Sequence, residues 1–177
     1  MSTAQPTTNP ELHLAPGRWT LDPARSRAEF RVAHTWGLAT VTGHFKGQEG
    51  WLSVDENERW SMELTLDAAS IDTGNGRRDK DLRSKKFFDI DRHPKVRFRS
   101  TNVTSAGDRL LVTGELTAAG STVTIEVETT ISRRGDDLAL DGSATVDQLQ
   151  FGMSQGPLRM VKSPTKLHVE ALLQPER

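Results

Sequence analysis

Ala28-Glu29-Phe30-Arg31-Val32-Ala33-His34 alternates between apolar and charged positions, and the pattern returns in Trp60-Ser61-Met62-Glu63-Leu64-Thr65-Leu66. Side chains point to opposite faces along a strand, so Ala28, Phe30, Val32 and His34 share one side while Glu29 and Arg31 face the other. Such a strand is buried on one face and wet on the other. When most strands have this form and no long apolar helix covers them, the sheet closes over itself. The expectation is an all-β, antiparallel barrel of about eight strands with an apolar interior.

The rest of the chain fits that plan. Trp19-Thr20-Leu21-Asp22-Pro23 reads as a short strand stopped by a proline turn. Strands follow at 26–34 and 38–46; in the second, Val41, Gly43 and Phe45 share a face and Gly43 marks a bulge or bend. Residues 51–54 turn through Asp55-Glu56-Asn57-Glu58 into a strand over 60–68. Further strands are expected at 96–100, 110–116, 123–128 and 138–146, and one at 167–173 that closes on the first. Residues 77–88 lack a period of two and follow Thr73-Gly74-Asn75-Gly76. They predict one or two short polar helices within 77–92, ended by Pro94. The inner face carries large residues and small ones (Ala28, Gly43, Gly114, Gly142, Ala144), so periodicity alone leaves open whether the barrel is filled or holds a guest.

The 177 residues suit one domain, 18–177, behind a polar, proline-containing arm over residues 1–17. A net charge of -1 gives no overall attraction to nucleic acid or to an anionic membrane, so any such binding would need a local patch. The chain has no cysteine, which excludes disulfides and thiolate metal sites. No stretch approaches the roughly 20 apolar residues of a membrane span, so no stable membrane insertion is expected. The first 17 residues lack the basic start and apolar run of a signal peptide, giving a cytoplasmic protein as the expectation.

Few motifs carry chemistry. Gly152-Met153-Ser154-Gln155-Gly156 has the form of a nucleophile elbow, but Pro157 follows, no helical period comes after, and no aspartate lies downstream. It reads as a glycine-bounded turn. Gly74-Asn75-Gly76 lacks the third glycine and the βαβ setting of a dinucleotide loop. Arg77, Arg78, Lys80, Arg83, Lys85 and Lys86 cluster nearby; diluted by Asp79 and Asp81, they read more as a solvated surface than as a phosphate site. The five histidines show no metal-ligand spacing, and His34, placed inward by alternation, is more simply a core imidazole. No catalytic residue, metal or cofactor is expected.

One family nonetheless matches in order and spacing. Trp19-Thr20-Leu21-Asp22-Pro23, Ser26, Phe30, Val32, His34, Val41, Gly43 and Phe45 resemble the opening of the YceI-like, polyisoprenoid-binding proteins. Ser70-Ile71-Asp72-Thr73-Gly74-Asn75, Arg78-Asp79, Leu82, Ser84, Phe87-Phe88-Asp89, His93-Pro94 and Phe98-Arg99-Ser100-Thr101 resemble its most recognisable stretch. Gly114-Glu115-Leu116-Thr117, Asp147 and Phe151-Gly152 fit later landmarks, so the likeness spans about residues 19–173. Arg25 and Asp81 stand where the family usually has histidine, and the turn after Thr117 is shorter.

The resemblance implies a lipocalin-like barrel, often a homodimer, that encloses an isoprenoid or other amphiphilic lipid, and it implies no established catalytic activity. Lumen contacts would then come from Phe30, Val32, His34, Phe45, Trp60 and Met62, together with Leu64, Phe98, Phe151 and Met153, while Phe87 and Phe88 cap one end. Arg78, Arg83 and Lys85 would meet a charged head group. The leading expectation is a carrier or store for such a lipid. The alternatives are a filled barrel docking on a protein through Trp36 and Trp51, and an enzyme acting on a bound isoprenoid.

Overall fold

The alternating segments form the sheet of a computed structural model that describes residues 12–34, 39–153 and 164–177. In chain order the strands are β1 (Gly17–Leu21), β2 (Arg27–His34), β3 (Ala39–Phe45), β4 (Gln48–Val54), β5 (Trp60–Asp67), β6 (Ile71–Asp72), β7 (Lys95–Ala106), β8 (Arg109–Ala118), β9 (Ser121–Arg134), β10 (Asp137–Val146) and β11 (Thr165–Pro175), with helix α1 (Gly76–Arg83) between β6 and β7. All ladders are antiparallel, and the pairing runs β1-β4-β5-β7-β8-β9-β10-β11 and back to β1. That ring is a closed eight-stranded barrel.

The remaining strands lengthen it. β11 pairs along one edge with β2 and then with β1, in registers that place Leu167 opposite Phe30 and Leu173 opposite Leu21. Between β1 and β2 the chain makes a 3-10 turn, Pro23–Arg25, capped by the Asp22 side chain on Ala24 N–H. The Leu172 amide donates to Ser26 Oγ at 3.0 Å and the Asp22 amide to the Leu172 carbonyl at 2.8 Å, so the break stays stitched to β11. β1 and β2 therefore act as one interrupted stave, and β3 and β4, separated by Lys46 and Gly47, as another.

Several strands run further than their alternation shows. β7 was expected to end at Ser100, but it bulges between Ser100 and Asn102 and continues to Ala106. The extra residue shifts the inward positions from Phe98 to Val103, which hides the period of two. β9 extends to Arg134 because Thr129, 7% exposed, takes an inward place among apolar neighbours. Gly43, read as a bulge, lies in unbroken register opposite Phe30. A Cβ there would stand 2.3 Å from the Phe30 ring, and one on Gly114 would stand 2.5 Å from the Phe98 ring. These glycines make room for a neighbour's ring rather than for a guest.

The apolar residues divide between the two ends. One cluster gathers Phe30, Phe45, Ile71, Val96, Leu116, Ile125 and Phe151 near α1. The other gathers Trp19, Leu52, Val54, Leu110, Ile131, Leu138 and Leu173 at the opposite end. Leu14 is buried in the second cluster and Leu12 packs against it. The expected arm over 1–17 is thus corrected in its described part: residues from Leu12 onward belong to the packed body.

Candidate functional site: an apolar cavity inside the barrel

Closing eight strands leaves an interior lined by one side chain in two from each stave, and here that space is not filled. A cavity of about 1240 Å³ runs between the two clusters. Phe30, Val32, Phe45, Met62, Leu64, Phe98, Phe151 and Met153 all line it, as do Phe87 and Phe88 beyond α1. Aromatic contacts fix the α1 end: Phe45 lies 6.0 Å from Phe30 and meets Phe88 edge-on at 5.9 Å. Trp60 has the inward parity but packs into the far cluster instead of lining the cavity. The His34 side chain lies outside the described residues, and so do Trp36 and Ser154. Trp51 sits under the Arg18 guanidinium at 4.3 Å and is half-buried.

Polar groups at the α1 end follow from its local structure. Asn75 caps the helix by accepting from the Arg78 amide, and Asp72 Oδ1 accepts from the Gly74 amide. Buried Asp79 accepts from the Thr73 amide at 2.9 Å and its hydroxyl at 2.6 Å. The amides of Thr73, Gly74 and Arg78 are thereby taken up by the chain's own side chains. Lys46, in the link between β3 and β4, holds Asp72 at 2.7 Å, and this contact, with the Gly74 amide, keeps the Asp72 carboxyl below its ordinary range.

The expected head-group residues separate. Arg78 lines the cavity, but its guanidinium donates to Thr73 Oγ1 at 2.8 Å and to the Thr73 carbonyl at 3.0 Å. Arg83 turns away, donating to the carbonyls of Ala69 and Ile71 at 3.0 and 2.9 Å, so it braces β6 instead of facing the lumen. Lys85 is exposed and outside the lining. The rim is made by Asp81, Ser84 and Lys86, none of which was among the expected ligand contacts; Thr129, Thr165 and Gln148 add polar points elsewhere, with Thr165 donating to Gln148 Oε1 at 3.0 Å. The alternation of β9 could have flagged Thr129, whereas the rim depends on how α1 lies across the opening.

No histidine is among the described lining residues. His168 and His44 lie on the outer face, flanking buried Glu29 together with Arg27 and Arg31. There the fold also brings the donor atoms of Asp141, His168 and Glu170 within 4.8 Å of one another, because Asp141 on β10 stands opposite Glu170 on β11. Sequence spacing could not show that grouping. Arg25, the departure noted above, pairs with Asp22 at 2.7 Å and Asp137 at 3.2 Å on the outside. The short turn after Thr117 is a tight hairpin through Ala119 and Gly120, both at positive φ, with Gly120 against the His93 ring.

No helix among the described residues is long and apolar enough to cross a membrane. Comparison with known proteins agrees with the geometry. The YceI-like domain matches residues 19–173. A UPF0312 protein of Pseudomonas aeruginosa is 32% identical over 156 residues, covering 84% of this chain and 78% of that protein. The crystal structure of Burkholderia cenocepacia BcnA aligns with a TM-score of 0.78 at 23% identity, covering 86% of this chain and 98% of the other. A polyisoprenoid binding domain from Saccharophagus degradans, implicated in plant cell wall breakdown, aligns with a TM-score of 0.74 at 13% identity, covering 92% of this chain and 100% of that one. At those identities the structures speak for the fold. The family match over nearly the whole barrel goes further, and the chain belongs to the YceI-like family.

Proposed function

We propose that this protein binds one long lipophilic molecule, isoprenoid-like or otherwise amphiphilic, inside its barrel and carries or stores it without changing it chemically. The observation that carries the reading is the apolar cavity of about 1240 Å³, above the ~300–1,000 Å³ typical of small-molecule sites. Burial contributes about 0.8 kcal/mol per methylene, so a long chain gains more from such a lumen than from any single polar contact. The polyisoprenoid binding described for the Saccharophagus degradans domain supports the same class of ligand. Interior polar groups are few, and of these Arg78 is bonded to Thr73 and Thr165 to Gln148, which suits a carrier better than an enzyme. The cavity also weighs against a filled barrel acting only as a docking module, and Trp51, covered by Arg18, offers little free surface.

The test is native mass spectrometry of freshly purified protein, with organic extraction of whatever it holds. A stoichiometric lipid of long hydrocarbon character is the expected result. Protein that carries none and takes up none when mixed with a prenyl alcohol would overturn the reading.

A further inference from the structure

The cavity of this barrel reaches the surface beside α1. Of its described lining residues, Asp81 and Lys86 are exposed, while the others are buried or half-buried. Both belong to the segment that starts with α1 and ends at Phe87-Phe88. An apolar molecule entering by this route passes a rim built from that segment.

The segment is also where positive charge collects. Between Gly76 and Lys86 stand six Lys and Arg residues against two Asp, in a chain whose formal net charge is -1. The rest of the molecule is therefore acidic. Of the two aspartates, Asp79 is turned inward and bonded to Thr73. Helical spacing explains the sorting: Asp79 and Leu82 take the inner face, and Arg77 and Lys80 come out on the opposite one, where both are exposed. Lys85 and Lys86 prolong the exposed basic surface toward the half-buried Phe87 and Phe88.

We propose that this face docks on an anionic lipid bilayer and that cargo passes between bilayer and barrel through the opening beside α1. The proposal rests on the cavity reading above. A bilayer is favoured over an acidic protein because the exposed Arg77, Lys80 and Lys85 lie beside an apolar opening, where an anionic lipid surface can meet the charges and the opening together. A cargo of long hydrocarbon chains resides in bilayers, and an opening held against the surface spares it exposure to water. Phe87 and Phe88, half-buried and lining the cavity, follow the rim residue Lys86 directly and give the route an apolar wall.

The full chain is tested by flotation with vesicles of phosphatidylcholine alone and of phosphatidylcholine mixed with phosphatidylglycerol. Uptake of a fluorescent fatty-chain probe is measured separately, without vesicles. Binding to the anionic vesicles alone is expected, falling as salt is raised. In the Arg77→Glu/Lys80→Glu/Lys85→Glu variant it falls tenfold or more while probe uptake stays at the wild-type level. Equal binding to both vesicle types, no binding to either, or wild-type binding by the variant would overturn the docking proposal. Salt-insensitive binding by the wild type overturns it too, without any variant. Loss of probe uptake by the wild-type protein would instead count against the cavity reading, so the two failures are distinguishable.

Discussion

Gly43 shows how a single position can be tuned to a neighbour across the sheet. Its missing side chain lets the Phe30 ring lie flat over β3, with a hypothetical Cβ only 2.3 Å from that ring. Gly43→Ala is therefore expected to destabilise by about 1–3 kcal/mol, the usual cost of overpacking. Pairing it with Phe30→Leu should restore most of the loss, as read by chemical denaturation of the single and double variants. Met62 makes the opposite case, because it faces open space. Met62→Trp should keep the fold and reduce uptake of a fluorescent fatty-chain probe severalfold; unchanged uptake would remove Met62 from the binding surface. The inward parity of both residues was readable from alternation. What Gly43 is for was not, since that depends on the ring opposite it.

The element at greatest variance with its sequence signal is the segment from β6 through α1. It was legible as a short polar helix, yet the partners of its charged residues were hidden because they come from the link between β3 and β4 and from backbone carbonyls. Lys46 reaches across from the link between β3 and β4 to Asp72. At the other interrupted stave, Arg25 bonds Asp22 and lowers its carboxyl too. Both aspartates titrate below their unfolded value of about 3.9, so their stabilising contribution is complete above it and is lost as pH falls through the lower folded values. Denaturation midpoints should hence decline below about pH 4, and Asp72→Asn should make that decline shallower. The cation of each pair, Arg25 or Lys46, is exposed, so high salt should weaken the effect as well. β7 adds a related lesson: a bulge at one residue erased the alternation beyond Ser100 although the strand itself continues.

At the scale of the molecule, a barrel that binds its cargo only when folded should be stabilised by it. With ligand at about a hundred times its dissociation constant the expected gain is ~2.7 kcal/mol, visible as a raised Tm when a prenyl alcohol is added. A Tm that does not move at saturating prenyl alcohol would mean the lumen does not take it up. The sequence by itself determined the class of fold and which face of most strands looks inward, because both follow from a period of two that each strand carries locally. It also determined the basic character of the α1 segment. Only the tertiary structure decided that β1 also pairs with β4, that the interior stays open, and that Asp81, Ser84 and Lys86 form the rim while Arg83 does not. Those outcomes depend on contacts between residues far apart in the chain. Local alternation specifies which way a side chain points, but the space left between opposing walls is set by how all eight staves meet.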